Sequence, residues 1–213
     1  MNRRGENREK ALKELQQLEV LMLDGHFDYG NGFHGRVYIN PHALFVHPST
    51  IWRFAQDLLD LLPTELLQTT EVVAGPATGG ALLAHTLAGL LDSRRSLTHP
   101  PSTFAPLHND PSTSLEASHS GLTLRRFYAN AISGKRVLLA DDVRNTGQTL
   151  AQCAELVKEA GGTVVATMQI YDRLESTFDL GVPNFALAEY KAPENFNAAD
   201  CPLCEAKVPI TRF

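Results

Sequence analysis

The hydrophobic positions of this chain fall into two patterns, helical spacing and short continuous runs. Helical spacing predicts helices at residues 6–23, 50–62, 80–91 and 148–160. Short apolar or β-rich runs predict strands at residues 71–74, 122–128, 136–140, 163–170 and 185–190. Because strands and helices alternate, the pattern predicts an α/β fold with a doubly wound, mainly parallel sheet.

The chain has 213 residues, of which 43% are hydrophobic, so it can bury a sizeable core. We expect a single domain over residues 1–213. Residues 71–190 would form its core. Residues 1–70, the N-terminal hood, would cover the strand ends, and a C-terminal tail over residues 191–213 would pack with the hood.

Charge and hydropathy narrow the function classes. The net charge is −5 and the basic residues form no long run, which argues against nucleic-acid binding. The sequence contains neither an 18-residue apolar stretch nor the apolar segment of a signal peptide. We therefore expect a soluble, cytoplasmic protein.

The most informative segment joins the strand at 136–140 to the helix at 148–160. The strand is followed by Asp141, Asp142 and Val143, and then by a polar loop of Arg144, Asn145, Thr146, Gly147, Gln148 and Thr149. In open α/β sheets, ligands bind at the carboxyl ends of strands, and a loop entering a helix can point N–H groups at an anion. The loop suits a phosphate, and the acids suit sugar hydroxyls or a Mg²⁺-bound sugar. A simple capped turn is the alternative.

A second loop follows the strand at 71–74. It reads Gly75, Pro76, Ala77, Thr78, Gly79 and Gly80. Paired glycines allow a ligand to approach the backbone closely at a helix start. The loop matches neither a Walker A nor a dinucleotide-binding fingerprint. An ordinary strand-to-helix turn is an equally good interpretation.

Together the two loops resemble type I phosphoribosyltransferases, whose signature is a hydrophobic strand, two acids and a phosphate loop. The resemblance implies that Asp141 and Asp142 contact the ribose hydroxyls of phosphoribosyl pyrophosphate (PRPP) and are catalytic. It implies that Val143 and residues 144–149 hold the 5′-phosphate, and that Ala77, Thr78, Gly79 and Gly80 bind pyrophosphate. It also implies Mg²⁺, bound mainly through PRPP, and a homodimer.

Within this family the chain is most similar to the orotate phosphoribosyltransferases. Residues 25–34 resemble their amino-terminal substrate region, which implies that Tyr38 and Ile39 cover the pyrimidine ring. Residues 172–175 resemble their Asp-Arg-x-Glu element, which implies that Arg173 contacts the base, together with Asn145. A β-hairpin at 25–40 and a surface ion pair between Arg173 and Glu175 are the alternatives.

Several positions depart from the family pattern. The orotate enzymes carry a catalytic Lys on a mobile loop, but no Lys occurs here between Lys13 and Lys135. The turn-rich stretch 93–121 instead holds His99, His108 and His119, and His108 is the first candidate for the proton-transfer role. Each could equally be a solvated loop histidine. Asn145 stands where a Thr is usual, and residues 30–32 lack a PRPP-binding Lys.

The sequence predicts no catalytic or metal-binding role for the three cysteines. Cys153 falls within a helical pattern and should pack as a small hydrophobe. Cys201 and Cys204 form a lone CxxC pair in the tail. Zinc normally requires four ligands and no second pair is visible, so we predict free thiols and no metal held by the protein itself, with zinc as the open alternative.

The most concrete functional hypothesis is transfer of the 5-phosphoribosyl group from PRPP to a pyrimidine. Orotate is the expected base, and orotidine 5′-monophosphate and pyrophosphate are the expected products. Two alternatives stay open. One is a PRPP- or nucleotide-binding regulator without transferase activity, favoured by the missing Lys. The other is a transferase for a different nitrogenous base.

Overall fold

The computed structural model of the protein describes residues 3–29, 32–96, 98–109, 121–193 and 195–212. The N-terminal hood contains helices α1 (Arg3–Gln17), α2 (Pro41–Phe45), α3 (Pro48–Leu59) and α4 (Thr64–Thr69). Its short strands are β1 (Leu21–Met22), β2 (Phe27–Asp28), β3 (Phe33–Gly35) and β4 (Tyr38–Ile39).

The core of the fold is a six-stranded sheet. In chain order its elements are β5 (Val72–Pro76), α5 (Gly79–Ser93), β6 (Thr103–Asn109), β7 (Leu122–Thr123), α6 (Arg126–Ile132), β8 (Arg136–Arg144), α7 (Gln148–Glu159), β9 (Thr163–Asp172) and β10 (Asn184–Glu189). The strand order is β10-β9-β8-β5-β6-β7. All neighbouring strands pair in parallel except β6 and β7, which are antiparallel.

Side chains that alternate along the strands bury both faces of this sheet. Val73 and Leu138 pack with α1, α3 and α5, whereas Val72 and Val137 pack with α6 and α7. Cys153 is fully buried in the second layer, as expected from its helical position. The predicted doubly wound, mainly parallel α/β fold is thus confirmed.

Two elements differ from the sequence prediction. The expected strand at 122–128 is the short β7 followed by helix α6, in which Tyr128 and Ile132, one helical turn apart, pack on the core. The stretch read as a turn-rich insert contains β6. Proline obscures this strand in the sequence. Among the described residues, β7 pairs with His108 and Asn109 and not with Pro106, so Pro106 has a partner on the β5 side alone and a missing N–H is tolerated there.

The tail returns to the hood. It forms β11 (Phe196–Asn197), a 3₁₀ turn at Ala198–Asp200 and helix α8 (Pro202–Glu205). Strand β11 joins β3 and β2 in a three-stranded antiparallel sheet. Further along, the Asp28 N–H donates to the Thr211 carbonyl at 3.0 Å. Strands from the hood and the tail therefore form one small sheet, which is separate from the core sheet.

Among the helices in the described parts of the chain, none combines the length and apolar character needed to cross a membrane.

Candidate active site

The two loops singled out in the sequence meet at one edge of the core sheet. Strands β5 and β8 are parallel neighbours, with Ala74 opposite Leu139, so their carboxyl ends lie side by side. The loop at 75–80 continues β5 into α5, and the loop at 144–149 continues β8 into α7. This is the edge at which doubly wound sheets bind ligands.

Asp141 and Asp142 stand between the loops. The Asp141 side chain accepts a hydrogen bond from the Asp142 N–H at 3.0 Å, and Asp142 accepts one from the Val143 N–H at 2.9 Å. Only 7% of Asp141 is exposed. Burial, and next the negative charge of Asp142, raise the pKa of Asp141 well above its usual value. A cation or hydroxyl donors at this position would favour the ionised form.

The loop after the acids is shaped as an anion cradle. Gly147 has a φ of 82°, a left-handed conformation that glycine adopts without strain, and α7 begins at the next residue. The first N–H groups of a helix lack partners inside the helix and can bind an anion. In this protein the start of α7 borders a pocket of about 180 Å³. The pocket is lined by Asp141, Val143, Arg144, Asn145, Thr146, Gly147, Gln148, Thr149, Leu150 and Gln152.

The segment that follows β9 contacts the loop at 144–149 and stabilises it. Arg144 donates to Asp172 Oδ2 at 3.2 Å and to Ser176 Oγ at 2.8 Å. The Thr177 N–H donates to the Thr146 carbonyl at 3.0 Å. Arg144 thus lines the pocket while its guanidinium binds Asp172 and Ser176, so it supports the loop that was predicted to hold phosphate.

A wider cleft of about 450 Å³ lies next to this pocket. Among the described residues its lining is Pro41, His42, Pro76, Ala77, Thr78, Gly79, Gly80, Asn109, Leu122, Asp141, Asp142, Val143, Asn145, Thr149 and Gln152. The cleft and the pocket share Asp141, Val143, Asn145, Thr149 and Gln152, so they form one continuous site. All four residues predicted for the pyrophosphate loop line it, and the peptide bond between two of them, Ala77 and Thr78, is cis.

Close backbone approach explains the glycines of this loop. A Cβ added at Gly79 would lie 2.1 Å from Asp142 Oδ2, and one at Gly80 would lie 2.8 Å from Asp141 Oδ1. Gly75 is enclosed by main chain, since its Cβ would lie 2.4 Å from the Gly80 carbonyl oxygen and 2.6 Å from that of Ala140. The loop and the acid pair therefore touch only because these side chains are absent.

Gly75→Ala should accordingly destabilise the protein by about 2–3 kcal/mol, because the methyl group meets two carbonyl oxygens that belong to rigid elements. Gly89 supplies the matched control. It is exposed within α5 and nothing lies within 4 Å of its added Cβ, so Gly89→Ala should stabilise by up to about 1 kcal/mol. Denaturant unfolding of both variants tests this; equal stability of the two would contradict the close approach.

The residues predicted to bind the base are spread more widely. Asn145 lines the cleft, but Tyr38, Ile39 and Arg173 are not among the described residues that do. The Tyr38 ring packs against Phe27 with centroids 5.8 Å apart, and Ile39 packs on the core. Arg173 donates to Glu175 Oε1 at 3.2 Å. Their roles stay predictions.

Arg173 nevertheless lies near Tyr29 of the hood. Burial raises the pKa of Tyr29, and the positive charge of Arg173 acts on that hydroxyl in the opposite direction. Tyr29 in turn donates to the Val37 carbonyl at 2.6 Å. The arginine that follows β9 is thus close to hood residues that border the predicted base site.

The histidines of the 93–121 stretch occupy different places. His99 precedes β6, at the sheet edge opposite the cleft, and contacts Gln68 Oε1 at 2.9 Å. His108 lies on β6 and pairs with Thr123. Among the described residues that line the cleft, the next residue, Asn109, is present and His108 is not. His119 falls outside the described residues. The catalytic role of His108 stays a prediction.

Five residues of the cleft were not predicted as site residues from the sequence: Pro41, His42, Asn109, Leu122 and Gln152. Gln152 lies one turn into α7 from Gln148, a spacing that places it beside the phosphate loop. Asn109 ends a strand that the sequence concealed. His42 and Pro41 begin α2 and reach the cleft only because the hood packs against the core, which no local pattern indicates.

A doubly wound sheet with a glycine-containing loop at a helix start and an acid pair at its carboxyl edge is typical of α/β proteins that bind phosphorylated sugars or nucleotides. The family model for the phosphoribosyl transferase domain matches residues 53–182. This match covers more than half of the 213 residues, so the chain belongs to the phosphoribosyltransferase family. The family predicted from the two loops is confirmed.

Within this family, the chain is similar over nearly its full length to proteins named orotate phosphoribosyltransferase. The chain is 31% identical over 204 residues to an orotate phosphoribosyltransferase of Erythrobacter litoralis, covering 96% of this chain and 95% of the relative. It is 31% identical over 202 residues to that of Thermotoga maritima, covering 94% and 96%. Both alignments extend beyond the core into the hood and the tail of this chain.

Solved structures agree on the fold. An orotate phosphoribosyltransferase from Aeropyrum pernix superposes with a TM-score of 0.62 at 24% identity, over 83% of this chain and 92% of that one. An adenine phosphoribosyltransferase from Thermoanaerobacter pseudethanolicus gives the same TM-score of 0.62 at 18% identity, over 84% and 99%. Fold similarity therefore does not separate pyrimidine from purine enzymes.

Proposed function

We propose that this protein is an orotate phosphoribosyltransferase, which transfers the 5-phosphoribosyl group of PRPP to orotate and releases pyrophosphate. One observation carries the proposal. The buried Asp141, its neighbour Asp142, the cradle at 144–149 and the glycine loop at 77–80 line one continuous site. That site offers acceptors for hydroxyl groups between two loops that suit anions. PRPP has the complementary groups, since it carries ribose hydroxyls between a 5′-phosphate and a pyrophosphate.

In the reaction the bond from the anomeric carbon to pyrophosphate breaks and a bond to a ring nitrogen of the base forms. The protein contributes mainly position and electrostatics. Asp141 and Asp142 would hold the ribose hydroxyls and stabilise the positive charge that develops on the ring. The cradle at 144–149 would fix the 5′-phosphate, and Ala77, Thr78, Gly79 and Gly80 would hold pyrophosphate.

The donor set of the site fits Mg²⁺ bound together with PRPP. Two carboxylates line the cleft, no Lys or Arg is found in its described lining, and burial raises the pKa of Asp141. Mg²⁺, when bound, would neutralise the charge of pyrophosphate, which no cation of the described lining does. We propose a cytoplasmic homodimer as the working form, as the family resemblance implies.

Orotate is favoured over a purine by the whole-chain relatives and by the predicted role of Arg173. Relatives with about 30% identity over nearly full length carry the orotate name. Arg173 lies near Tyr29 of the hood and donates to Glu175, and a guanidinium can offer paired donors to a carboxylate or carbonyl of a pyrimidine. At 18% identity, the similarity of the adenine phosphoribosyltransferase from Thermoanaerobacter pseudethanolicus shows the fold alone.

The test is loss of orotate absorbance in the presence of PRPP and Mg²⁺, with adenine in a parallel reaction. We expect turnover with orotate only. Asp142→Asn should lower kcat/KM by about 100-fold or more, because a charge at the ribose is lost. Asp179→Asn, which changes an exposed acid outside the cleft lining, is the matched control and should retain activity. PRPP binding without turnover of either base would instead support the regulator.

A further inference from the structure

Four potential metal ligands meet where the tail packs on the hood. They are His26, next to β2; His34, in β3; and Cys201 and Cys204, at the start of α8. One donor atom from each residue lies within 4.8 Å of all the others. Three of the residues are buried, with 2% of His26, 7% of His34 and 1% of Cys201 exposed. Cys204 is exposed, which leaves a route by which an ion can enter.

The distances within this cluster match the edges of a zinc tetrahedron. Ordinary Zn–N and Zn–S bond lengths give edges of about 3.3 Å between two nitrogens and about 3.6 Å between nitrogen and sulfur. His26 Nε2 lies 3.2 Å from His34 Nδ1. It lies 3.6 Å from Cys201 Sγ and 3.7 Å from Cys204 Sγ, while His34 Nδ1 lies 3.4 Å from Cys204 Sγ.

The outer nitrogen of each histidine ring faces an oxygen atom of the protein. His26 Nδ1 lies 2.9 Å from the Val208 carbonyl, so it carries the proton and leaves Nε2 as a lone-pair donor. His34 Nε2 lies 3.9 Å from Asp28 Oδ1, which leaves Nδ1 to face the cluster. Metal-binding histidines typically donate their second N–H to a carbonyl or carboxylate. The His26 contact is such a hydrogen bond, whereas the distance from His34 to Asp28 is that of an ion pair.

We propose that His26, His34, Cys201 and Cys204 bind one Zn²⁺ ion as a closed structural site. Two sulfurs and two nitrogens in a tetrahedron favour zinc over Mg²⁺ or Ca²⁺, which prefer oxygen ligands. Four protein ligands leave no open position for a substrate. None of the four is among the described residues that line the cleft, so the site joins the tail to the hood and takes no part in phosphoribosyl transfer.

This site also explains why the sequence alone favoured free thiols. The CxxC pair lacks a second cysteine pair, and its partners are two histidines that precede Cys201 and Cys204 by 175 and 170 residues. Binding requires both thiols to lose their protons, so two protons are released to solvent as the two Zn–S bonds form.

The experiment uses the full chain, purified under reducing conditions, dialysed against Zn²⁺ and freed of excess metal. Elemental analysis should find about one zinc per chain. Cys204→Ser, chosen because this position is exposed and tolerates change, should weaken zinc binding by more than about 100-fold in competition with a chromophoric chelator. Cys204→His restores a ligand and should restore most of the affinity.

Two variants outside the cluster serve as controls: Cys153→Ala, in the core, and His47→Gln, on the surface. Both should keep the metal. Replacement by Co²⁺ should give the visible bands of tetrahedral cobalt bound to thiolates. The proposal is overturned if the reduced chain takes up no zinc, if Cys204→Ser binds it as tightly as the parent, or if the native form holds a Cys201–Cys204 disulfide that gains no metal on reduction.

Discussion

Asp141→Asn should lower kcat/KM by about 100-fold or more and at the same time make the folded protein more stable at neutral pH. The carboxylate is 7% exposed and close to Asp142, so in the free protein it is desolvated and repelled. Asparagine keeps the shape without the charge. We expect a gain of about 1 kcal/mol, or roughly 2–4 °C in Tm for a chain of this size.

The pH dependence of this gain identifies its cause. Burial and Asp142 place the pKa of Asp141 in the folded state above its unfolded value. In the parent, the contribution of Asp141 to the free energy of unfolding is therefore fully present below the unfolded pKa of about 3.9. It is lost as the pH rises through the pKa of the folded state. The Asp141→Asn variant should thus gain nothing near pH 4 and most at pH 8.

Thermal unfolding at several pH values measures this gain. PRPP with Mg²⁺ should raise the Tm of the parent and not that of Asp141→Asn, because the variant binds ligand weakly. A variant that is less stable than the parent at pH 8 would show that Asp141 is not the destabilised group that its burial implies.

Asp172→Ala should be the most damaging substitution to stability, at about 3–5 kcal/mol. Asp172 is 2% exposed and accepts hydrogen bonds from Arg144 at 3.2 Å, Gln169 at 3.0 Å and Asn184 at 3.1 Å. Removing it leaves the partly buried Arg144 guanidinium without its counter-charge. Because Arg144 supports the phosphate loop, the KM for PRPP should rise as well.

A matched surface pair isolates the effect of burial. Asp60 accepts from Arg94 at 2.5 Å, but the two side chains are 55% and 28% exposed. Asp60→Ala removes the same chemical group and should cost less than about 1 kcal/mol. Urea unfolding of both variants gives the comparison. Similar losses in the two would mean that the Arg144–Asp172 pair does not depend on its burial.

The local motifs of the site could be predicted from sequence because each is contiguous. The strand, the acid pair and the phosphate loop lie within residues 136–149, and their neighbours along the chain dictate their geometry. The same holds for the loop at 75–80. Strand pairing then brings the two together. The alternation of strands and helices predicted a mainly parallel sheet, but it did not predict that β5 and β8 are neighbours in it.

Contacts between distant segments could not be predicted in this way. The support of Arg144 by Asp172, the entry of His42 into the cleft and the meeting of His26 with Cys201 all join segments with no common local pattern. Strand β6 was missed for a different reason, since Pro106 conceals an edge position where proline is tolerated. Helix α6 was missed because apolar residues in its first turn also fit a strand.

The three-stranded sheet of hood and tail has a consequence for the order in which the protein is made. Strand β3 begins at residue 33 and its partner β11 at residue 196, and His26 contacts the Val208 carbonyl across 182 residues. During synthesis, residues 71–190 emerge and can pair before this sheet has its last strand. Strand β3 of the hood therefore lacks its β11 partner until the tail has left the ribosome.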